Sequence, residues 1–173
     1  MQADFLTPNS FPLRKAFSHD RTETGKAEWL TPPEIIAALG PFDLDPCSPV
    51  IRPWPTAETH FTIEDNGLIK PWFGRVWLNP PYGTETGKWL RRMKSHGNGI
   101  VLIFARTETR TFHEYVFGVA DALLWIKGRL TFYNADGSKP QNCGGAPSVL
   151  IAYGNHNADN LRSCAIQGRV TTA

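Results

Sequence analysis

The stretch that decides the fold is Val76-Trp77-Leu78-Asn79-Pro80-Pro81-Tyr82-Gly83, an apolar run that ends in Asn-Pro-Pro-Tyr. The apolar residues predict a strand inside a sheet, with Asn79 at its carboxyl end. The prolines stiffen the backbone and lack N–H donors, and the amide of Asn79 carries a carbonyl that can accept a hydrogen bond. With the flat ring of Tyr82, these groups suit a planar substrate that carries an NH₂ group. A proline-rich turn at a strand end accounts for the same residues equally well.

Strands and helices alternate on both sides of this stretch. The most strongly apolar run, Gly99–Ala105, predicts a buried strand. Further strands are predicted at 122–126, 129–133 and 148–153. Helices are predicted after Thr31, around Phe112, and after Thr84 or Thr86, the last with Trp89, Leu90 and Met93 facing inward. This alternation predicts an α/β fold, with an open and mostly parallel sheet flanked by helices.

The chain of 173 residues has the length of one domain. We predict an irregular N-terminal arm over 1–26, a single domain over 27–154, and a tail over 155–173, where the hydrophobic pattern is lost. A hydrophobic content of 41% and a charged content of 20% are typical of globular proteins. The net charge of +2 gives no overall basic field, so any surface for nucleic acid has to be local.

The remaining composition excludes several classes of protein. Three widely spaced cysteines, Cys47, Cys143 and Cys164, form no CxxC pair, so neither a zinc site nor a disulfide scaffold is predicted. There is no hydrophobic signal core and no apolar run near the ~18 residues that span a bilayer. We therefore expect a cytoplasmic protein that binds no metal and no membrane.

Polar residues at the predicted element ends are candidates for ligand binding. Thr31 and Glu34 fit a capping box with Pro32 at the first helical position, and the N–H groups of such a helix start can bind a carboxylate. Asp45 ends a short strand predicted over Phe42–Asp45, and an acid at this end can hold an ammonium or a hydroxyl. Asp65 lies in a turn and can accept from an exocyclic amine. Each residue also has a simpler interpretation: a helix cap for Thr31, turn chemistry for Asp45, and a solvated turn acid for Asp65.

Four motifs occur in a fixed order: Trp29-Leu-Thr-Pro32, Phe42 to Cys47, Asp65-Asn-Gly-Leu68 with Trp72, and Asn79 to Gly83. In this combination the sequence resembles the DNA adenine-N6 methyltransferases, and most closely the small phage and prophage Dam-like family. The resemblance spans residues 28 to 153. It implies a Rossmann-like class I methyltransferase fold, S-adenosyl-L-methionine as cofactor, and adenine in DNA as the substrate of a bacterial or phage-infected cell.

The resemblance also implies roles at the cofactor. The residues concerned are Trp29, Thr31, Pro32, Asp45, Pro46, Cys47 and Asp65. Thr31 and Pro32 would bind the methionine carboxylate, and Asp65 would receive the adenine amine of the cofactor. Asp45, beside Pro46 and Cys47, would lie near the methionine amino group. Ser48-Pro49-Val50 stands where methyltransferases usually have a glycine-rich turn, so the contacts after Asp45 and the ribose-binding acid stay open.

The catalytic residues implied by the resemblance are Asn79, Pro80, Pro81 and Tyr82. The adenine would be flipped out of the duplex, because its N6 is unreachable while it is stacked. Tyr82 would stack on the flipped base. The side-chain oxygen of Asn79 and the carbonyl of Pro80 would accept the two N6 hydrogens and aim the nitrogen lone pair at the methyl group.

Other acceptors fit the same motif. Asn-Pro-Pro-Tyr also serves methylation of adenine in RNA and of glutamine in proteins, because each presents a planar NH₂ group. A non-catalytic nucleic-acid-binding module that retains the fold is an alternative from another class. The loops 50–60, 106–112 and 134–147 are the candidates for base readout.

Overall fold

Seven strands form one sheet in the computed structural model, which describes residues 29–140 and 145–173. The strands are β1 Leu44–Asp45, β2 Thr59–His60, β3 Val76–Leu78, β4 Gly99–Phe104, β5 Ala122–Ile126, β6 Ser148–Tyr153 and β7 Gly168–Thr171. The helices are α1 Pro33–Leu39, α2 Thr86–His96, α3 Arg110–Tyr115 and α4 Asn155–Ser163. The arm predicted over 1–26 lies outside the described residues.

The strand order is β2-β1-β3-β4-β6-β5-β7. Strands β2, β1, β3 and β4 are parallel to one another. Strand β6 then runs antiparallel to both β4 and β5, and β7 is antiparallel to β5 at the edge. The α/β prediction is therefore confirmed. The expectation of a mostly parallel sheet holds only for one side of it.

Helices cover both faces of the sheet, so its central strands are buried on both sides. Trp89, Leu90 and Met93 of α2 and Phe112 of α3 pack on one face, as the predicted inward positions of α2 require. Helices α1 and α4 pack on the other face, around Trp77, through the side chains Ile35, Leu39, Ala158 and Leu161. Burial on both faces explains why β3, β4 and β6 read as continuous apolar runs in the sequence.

Arg75 connects the start of β3 to both helices of the second face. Its Nε donates to Asn157 Oδ1 at 2.6 Å, and an Nη donates to Asn160 Oδ1 at 2.9 Å. The other Nη donates to the carbonyls of Leu39 and Pro41, at 2.7 and 2.8 Å. The guanidinium thereby satisfies carbonyls at the end of α1, which have no partner within the helix.

The C-terminal residues 155–173 are not a tail, contrary to the prediction. They form α4, which buries Ala158 and Leu161, and β7, which pairs with β5 over four residues. The domain therefore continues to the end of the sheet. The signal was missed because α4 buries few apolar side chains and β7 is an edge strand with a largely exposed pattern.

Two other elements differ from the prediction. The run 129–133 forms no strand, and Tyr133 makes only an isolated bridge with Leu30. The strand predicted at Phe42–Asp45 is reduced to Leu44–Asp45. Asp43 is nevertheless joined to Arg75 by two hydrogen bonds: its backbone N–H donates to the carbonyl of Arg75 at 2.8 Å, and its Oδ2 accepts from the backbone N–H of Arg75. The strands at 76–78, 99–104, 122–126 and 148–153 are confirmed.

Candidate active site

A cavity of about 470 Å³ lies at the carboxyl ends of β1 and β3. Its volume is within the range of pockets that hold drug-sized ligands, and its position is the usual one for ligands of open α/β sheets. The predicted site residues that line it are Trp29, Thr31, Asp45, Pro46, Cys47, Asn79, Pro80, Pro81 and Tyr82. Pro32 and Asp65 are not among the lining residues.

The amide of Asn79 is held so that its oxygen has no partner among the described residues. Its Nδ2 donates to the carbonyl of Trp29 at 3.2 Å and to Thr31 Oγ1 at 3.3 Å. Its Oδ1 is buried and accepts no hydrogen bond from the described residues. A buried acceptor without a partner is costly, so such an atom marks a place where a ligand donor fits.

The ring of Tyr82 is packed inside an aromatic cluster. It stacks on Phe104, with centroids 4.2 Å apart and planes 7° apart, and meets the edge of Phe132. Its hydroxyl is buried without a partner among the described residues, and burial raises the pKa of Tyr82 above its ordinary value. Because Phe104 covers one face of the ring, only the opposite face can contact a ligand.

Asp45 is a buried carboxylate at the wall of the cavity, 3% exposed. Its Oδ1 accepts from the backbone N–H of Cys47 at 3.0 Å, and its Oδ2 accepts from Thr56 Oγ1 at 2.5 Å. Burial raises the pKa of Asp45 to about 6, because it disfavours the charged form. The two hydrogen bonds and the charge of Arg52 act in the opposite direction.

The start of α1 is built differently from the predicted capping box. The N-cap residue is Pro32, and no side chain in the part of the chain that the structure describes caps the helix. The hydroxyl of Thr31 accepts from Asn79, and the carbonyl of Thr31 accepts from Trp54 Nε1 at 3.0 Å. Thr31 therefore supports the amide of Asn79, a longer-range contact that the local capping pattern does not show.

Asp65 has partners within its own loop. Its Oδ2 accepts from the backbone N–H of Thr62 at 2.9 Å, and its Oδ1 forms an ion pair with Lys70 at 2.5 Å. The structure therefore does not bring Asp65 to the cavity with Asp45 and Asn79. These bonds, led by the one from Lys70, hold the pKa of Asp65 below its ordinary value.

Gly67 and Trp72, which belong to the same motif as Asp65, hold the loop in place by their packing and hydrogen bonding. A Cβ at Gly67 would overlap the carbonyl oxygen of Pro46, so only glycine allows the loop to lie against the turn after β1. Trp72 Nε1 donates to the carbonyl of Gly67 at 2.7 Å and fixes the loop there. As a result Thr62, Ile63 and other residues of the loop line the cavity.

The family model described as DNA N-6-adenine-methyltransferase (Dam) matches residues 18–168. This match covers most of the chain. The chain belongs to the DNA N-6-adenine-methyltransferase (Dam) family. The family predicted from the four motifs is thereby confirmed, and with it DNA adenine methylation as the activity that the family implies. Comparisons with curated proteins and with solved structures gave no match.

Several residues that line the cavity in this Dam family chain were not among the predicted cofactor-binding or catalytic residues, although three of them lie in the loop 50–60 that was predicted for base readout. They are Arg52, Trp54, Thr56 and Ile63. Arg52, Trp54 and Thr56 belong to the irregular segment 50–58, which shows no periodicity. The available signal was position, because this segment directly follows the carboxyl end of β1, where loops of α/β sheets meet ligands.

Two searches of the described residues gave negative results. Over 29–140 and 145–173, no three His, Cys, Asp or Glu side chains are grouped so that they could hold a metal ion. None of the helices in this part of the chain is long and apolar enough to cross a membrane.

Proposed function

We propose that this Dam family protein transfers a methyl group from S-adenosyl-L-methionine to the N6 amino group of adenine in DNA. The observation that carries the proposal is the unpartnered Oδ1 of Asn79, buried at the cavity wall beside Tyr82. An exocyclic amine supplies the N–H donor that this oxygen lacks. The family match selects DNA over RNA and protein as the source of that amine.

The cavity fits the cofactor in charge and size. Asp45 supplies a buried acid for an ammonium group, and its neighbours Pro46 and Cys47 line the same wall. The walls are otherwise largely apolar and include Trp29 and Leu68, as a nucleoside requires. When bound, S-adenosyl-L-methionine would supply an electrophilic methyl group.

The residues of the Asn-Pro-Pro-Tyr turn would orient the amine. Asn79 Oδ1 and the carbonyl of Pro80, which accepts no backbone hydrogen bond from the described residues, would each accept one N6 hydrogen. These bonds draw the nitrogen lone pair away from the ring and direct it toward the methyl donor. Catalysis then comes from position and from preorganised dipoles.

The base has to leave the duplex to reach this turn, since N6 is inaccessible in stacked DNA. The face of Tyr82 opposite Phe104 would stack on it, with a contribution of about 1–3 kcal/mol. The carbonyl of Pro81 accepts from Thr86 Oγ1 at 2.7 Å, which ties the turn to α2 and holds it rigid. The rigid turn supports a fixed position for the base.

Three finer predictions belong to the same proposal. A role for Asp65 at the adenine amine would require its carboxylate to leave Lys70, whereas the adjacent Asn66 already lines the cavity. The parallel order β2-β1-β3-β4, followed by a reversed strand, supports the Rossmann-like class I assignment. With DNA as substrate, we place the protein in the cytoplasm of a bacterium or of a phage-infected host.

The test is incubation with methyl-labelled cofactor and unmethylated DNA, followed by nucleoside analysis. We expect N6-methyladenine from the wild type and a loss of at least about 100-fold in Asn79→Ala, the size of effect seen when one preorganised polar group is removed. Cofactor affinity should persist in Asn79→Ala. Asn155→Ala, an exposed position at the start of α4, is the matched control and should keep full activity.

Each alternative gives a different result in the same assay. Label in RNA or in protein, with none in DNA, would replace DNA as the acceptor. Cofactor binding without transfer to any acceptor would favour the non-catalytic module. Equal activity of Asn79→Ala and the wild type would contradict the role of the Asn79 oxygen.

A further inference from the structure

The charges around the cavity are few and of both signs. Among the residues that the structure describes, the charged side chains that line it are Asp45, Arg52 and Glu85. Glu85 is half exposed and is paired with Lys88 at 2.9 Å, outside the buried wall. Asp45 and Arg52 therefore remain as one acid and one base that face the same space.

The guanidinium of Arg52 keeps most of its donors for a ligand. One Nη donates to the carbonyl of Pro49 at 3.0 Å, and the other four of the five N–H groups of the guanidinium have no partner among the described residues. None of the ion pairs among the described residues involves Arg52. Its charge nevertheless acts on two neighbours. It lowers the pKa of Asp45, against the larger effect of burial, and it lowers the pKa of His60 in the same direction as the larger effect of burial.

The start of α1 offers little to an anion. Pro32 and Pro33 have no N–H, and the N–H of Ile35 donates to the carbonyl of Pro32 at 3.0 Å. The hydroxyl oxygen of Thr31 accepts from Asn79, which leaves its single O–H as a donor, and Glu34 places an acid in the first turn. A carboxylate would therefore find fewer donors at this helix than at Arg52.

We propose that Arg52 binds the carboxylate of the cofactor's amino-acid end while Asp45 binds its ammonium, so that the site selects a zwitterion. This inference rests on the proposed function. An arginine fork matches the geometry of a carboxylate, and a charged hydrogen bond in a partly buried site is stronger than a neutral one. The segment 50–58 thereby takes the place of the glycine-rich turn that this chain lacks.

The experiment compares two ligands that differ only in the carboxylate. S-adenosylmethionine and decarboxylated S-adenosylmethionine share the nucleoside, the sulfonium and the amine. By calorimetry, the wild type should prefer S-adenosylmethionine by about 10- to 100-fold. Arg52→Gln should reduce this preference to about twofold or less, through weaker binding of S-adenosylmethionine alone. Arg52→Lys should restore part of it, because the cation remains without the fork.

Arg91→Gln, at an exposed position of α2 that does not line the cavity, is the matched control. Affinity for unmethylated DNA without cofactor should be the same in all variants. An undiminished preference in Arg52→Gln would overturn the inference, as would equal weakening of both ligands. A loss confined to DNA affinity would assign Arg52 to a phosphate instead. If the wild type bound neither ligand, the proposed function would fail as well, whereas the other outcomes leave it standing.

Discussion

The two sides of the sheet are built from different kinds of strand. On the parallel side, β1 and β2 have two residues each and β3 has three. On the antiparallel side, β6 has six residues and β5 has five, and β6 pairs with β4 over its whole length. The cavity, Asp45 and Asn79 all belong to the parallel side.

The difference has a physical reason. Because these strands are short, the chain soon leaves the sheet at their carboxyl ends and can form irregular loops around a ligand. This arrangement lowers stability, because it leaves polar groups in unfavourable surroundings. Examples are the buried carboxylate of Asp45 and Asn79 Oδ1, which has no partner among the described residues. On the antiparallel side, long ladders of buried aliphatic residues stabilise the fold that holds these polar groups.

The largest effect on stability should come from the antiparallel side. Leu150 is fully buried in β6, between Leu102 of β4 and Leu124 of β5. Leu150→Ala should lower the free energy of unfolding by about 2–5 kcal/mol, measured by urea denaturation, because it leaves a cavity in the core. Cofactor affinity of the folded protein should be unchanged.

Leu150→Met conserves volume and should cost less than about 1.5 kcal/mol. If Leu150→Ala instead altered cofactor affinity while stability stayed high, the separation between the two sides of the sheet would not hold.

A smaller effect, of opposite sign, is expected at Asp45. Its folded pKa of about 6 exceeds the ordinary 3.8, so the ionised carboxylate destabilises the folded state above pH 6, and this cost is relieved as the pH falls toward 4. Asp45→Asn should therefore raise the free energy of unfolding by on the order of 2–3 kcal/mol at pH 8. The gain should shrink at pH 5. Urea denaturation at both values measures it.

The same Asp45→Asn variant should bind the cofactor more weakly at pH 8, since the amide has no charge for the ammonium. In the wild type, cofactor affinity should fall as the pH is lowered through 6. If Asp45→Asn were less stable than the wild type at pH 8, the carboxylate would instead stabilise the parallel side of the sheet.

The smallest effect is expected at Tyr82. Tyr82→Phe removes a buried hydroxyl that has no partner among the described residues. The free energy of unfolding should stay the same or rise by less than about 1 kcal/mol, as thermal and urea denaturation would show. Methylation should remain within about threefold of the wild type, because the aromatic face is kept.

Tyr82→Ala is the contrasting variant and should lose roughly 10- to 100-fold in methylation with the stacking surface. Equal losses in Tyr82→Phe and Tyr82→Ala would mean that the hydroxyl takes part in the reaction, and the unpartnered oxygen would then count as a second functional atom beside Asn79 Oδ1.

The sequence by itself determined the strands β3, β4, β5 and β6, the inward face of α2 and the family. It also placed Asn79 at the end of a buried strand. These features depend on local signals, namely continuous apolar runs, helical spacing and motifs read along the chain. Residues 155–173 escaped the same method because their few buried side chains form no local pattern.

Only the tertiary structure decided which atoms meet. It directed the amide nitrogen of Asn79 to Trp29 and Thr31 and left its oxygen without a partner among the described residues. It also kept Asp65 with Lys70 and brought Arg52 to the wall that holds Asp45. Such contacts join segments that are far apart in sequence or that lie in aperiodic loops. The pKa of Asp45 is raised by burial, and this burial exists only once those segments have packed together.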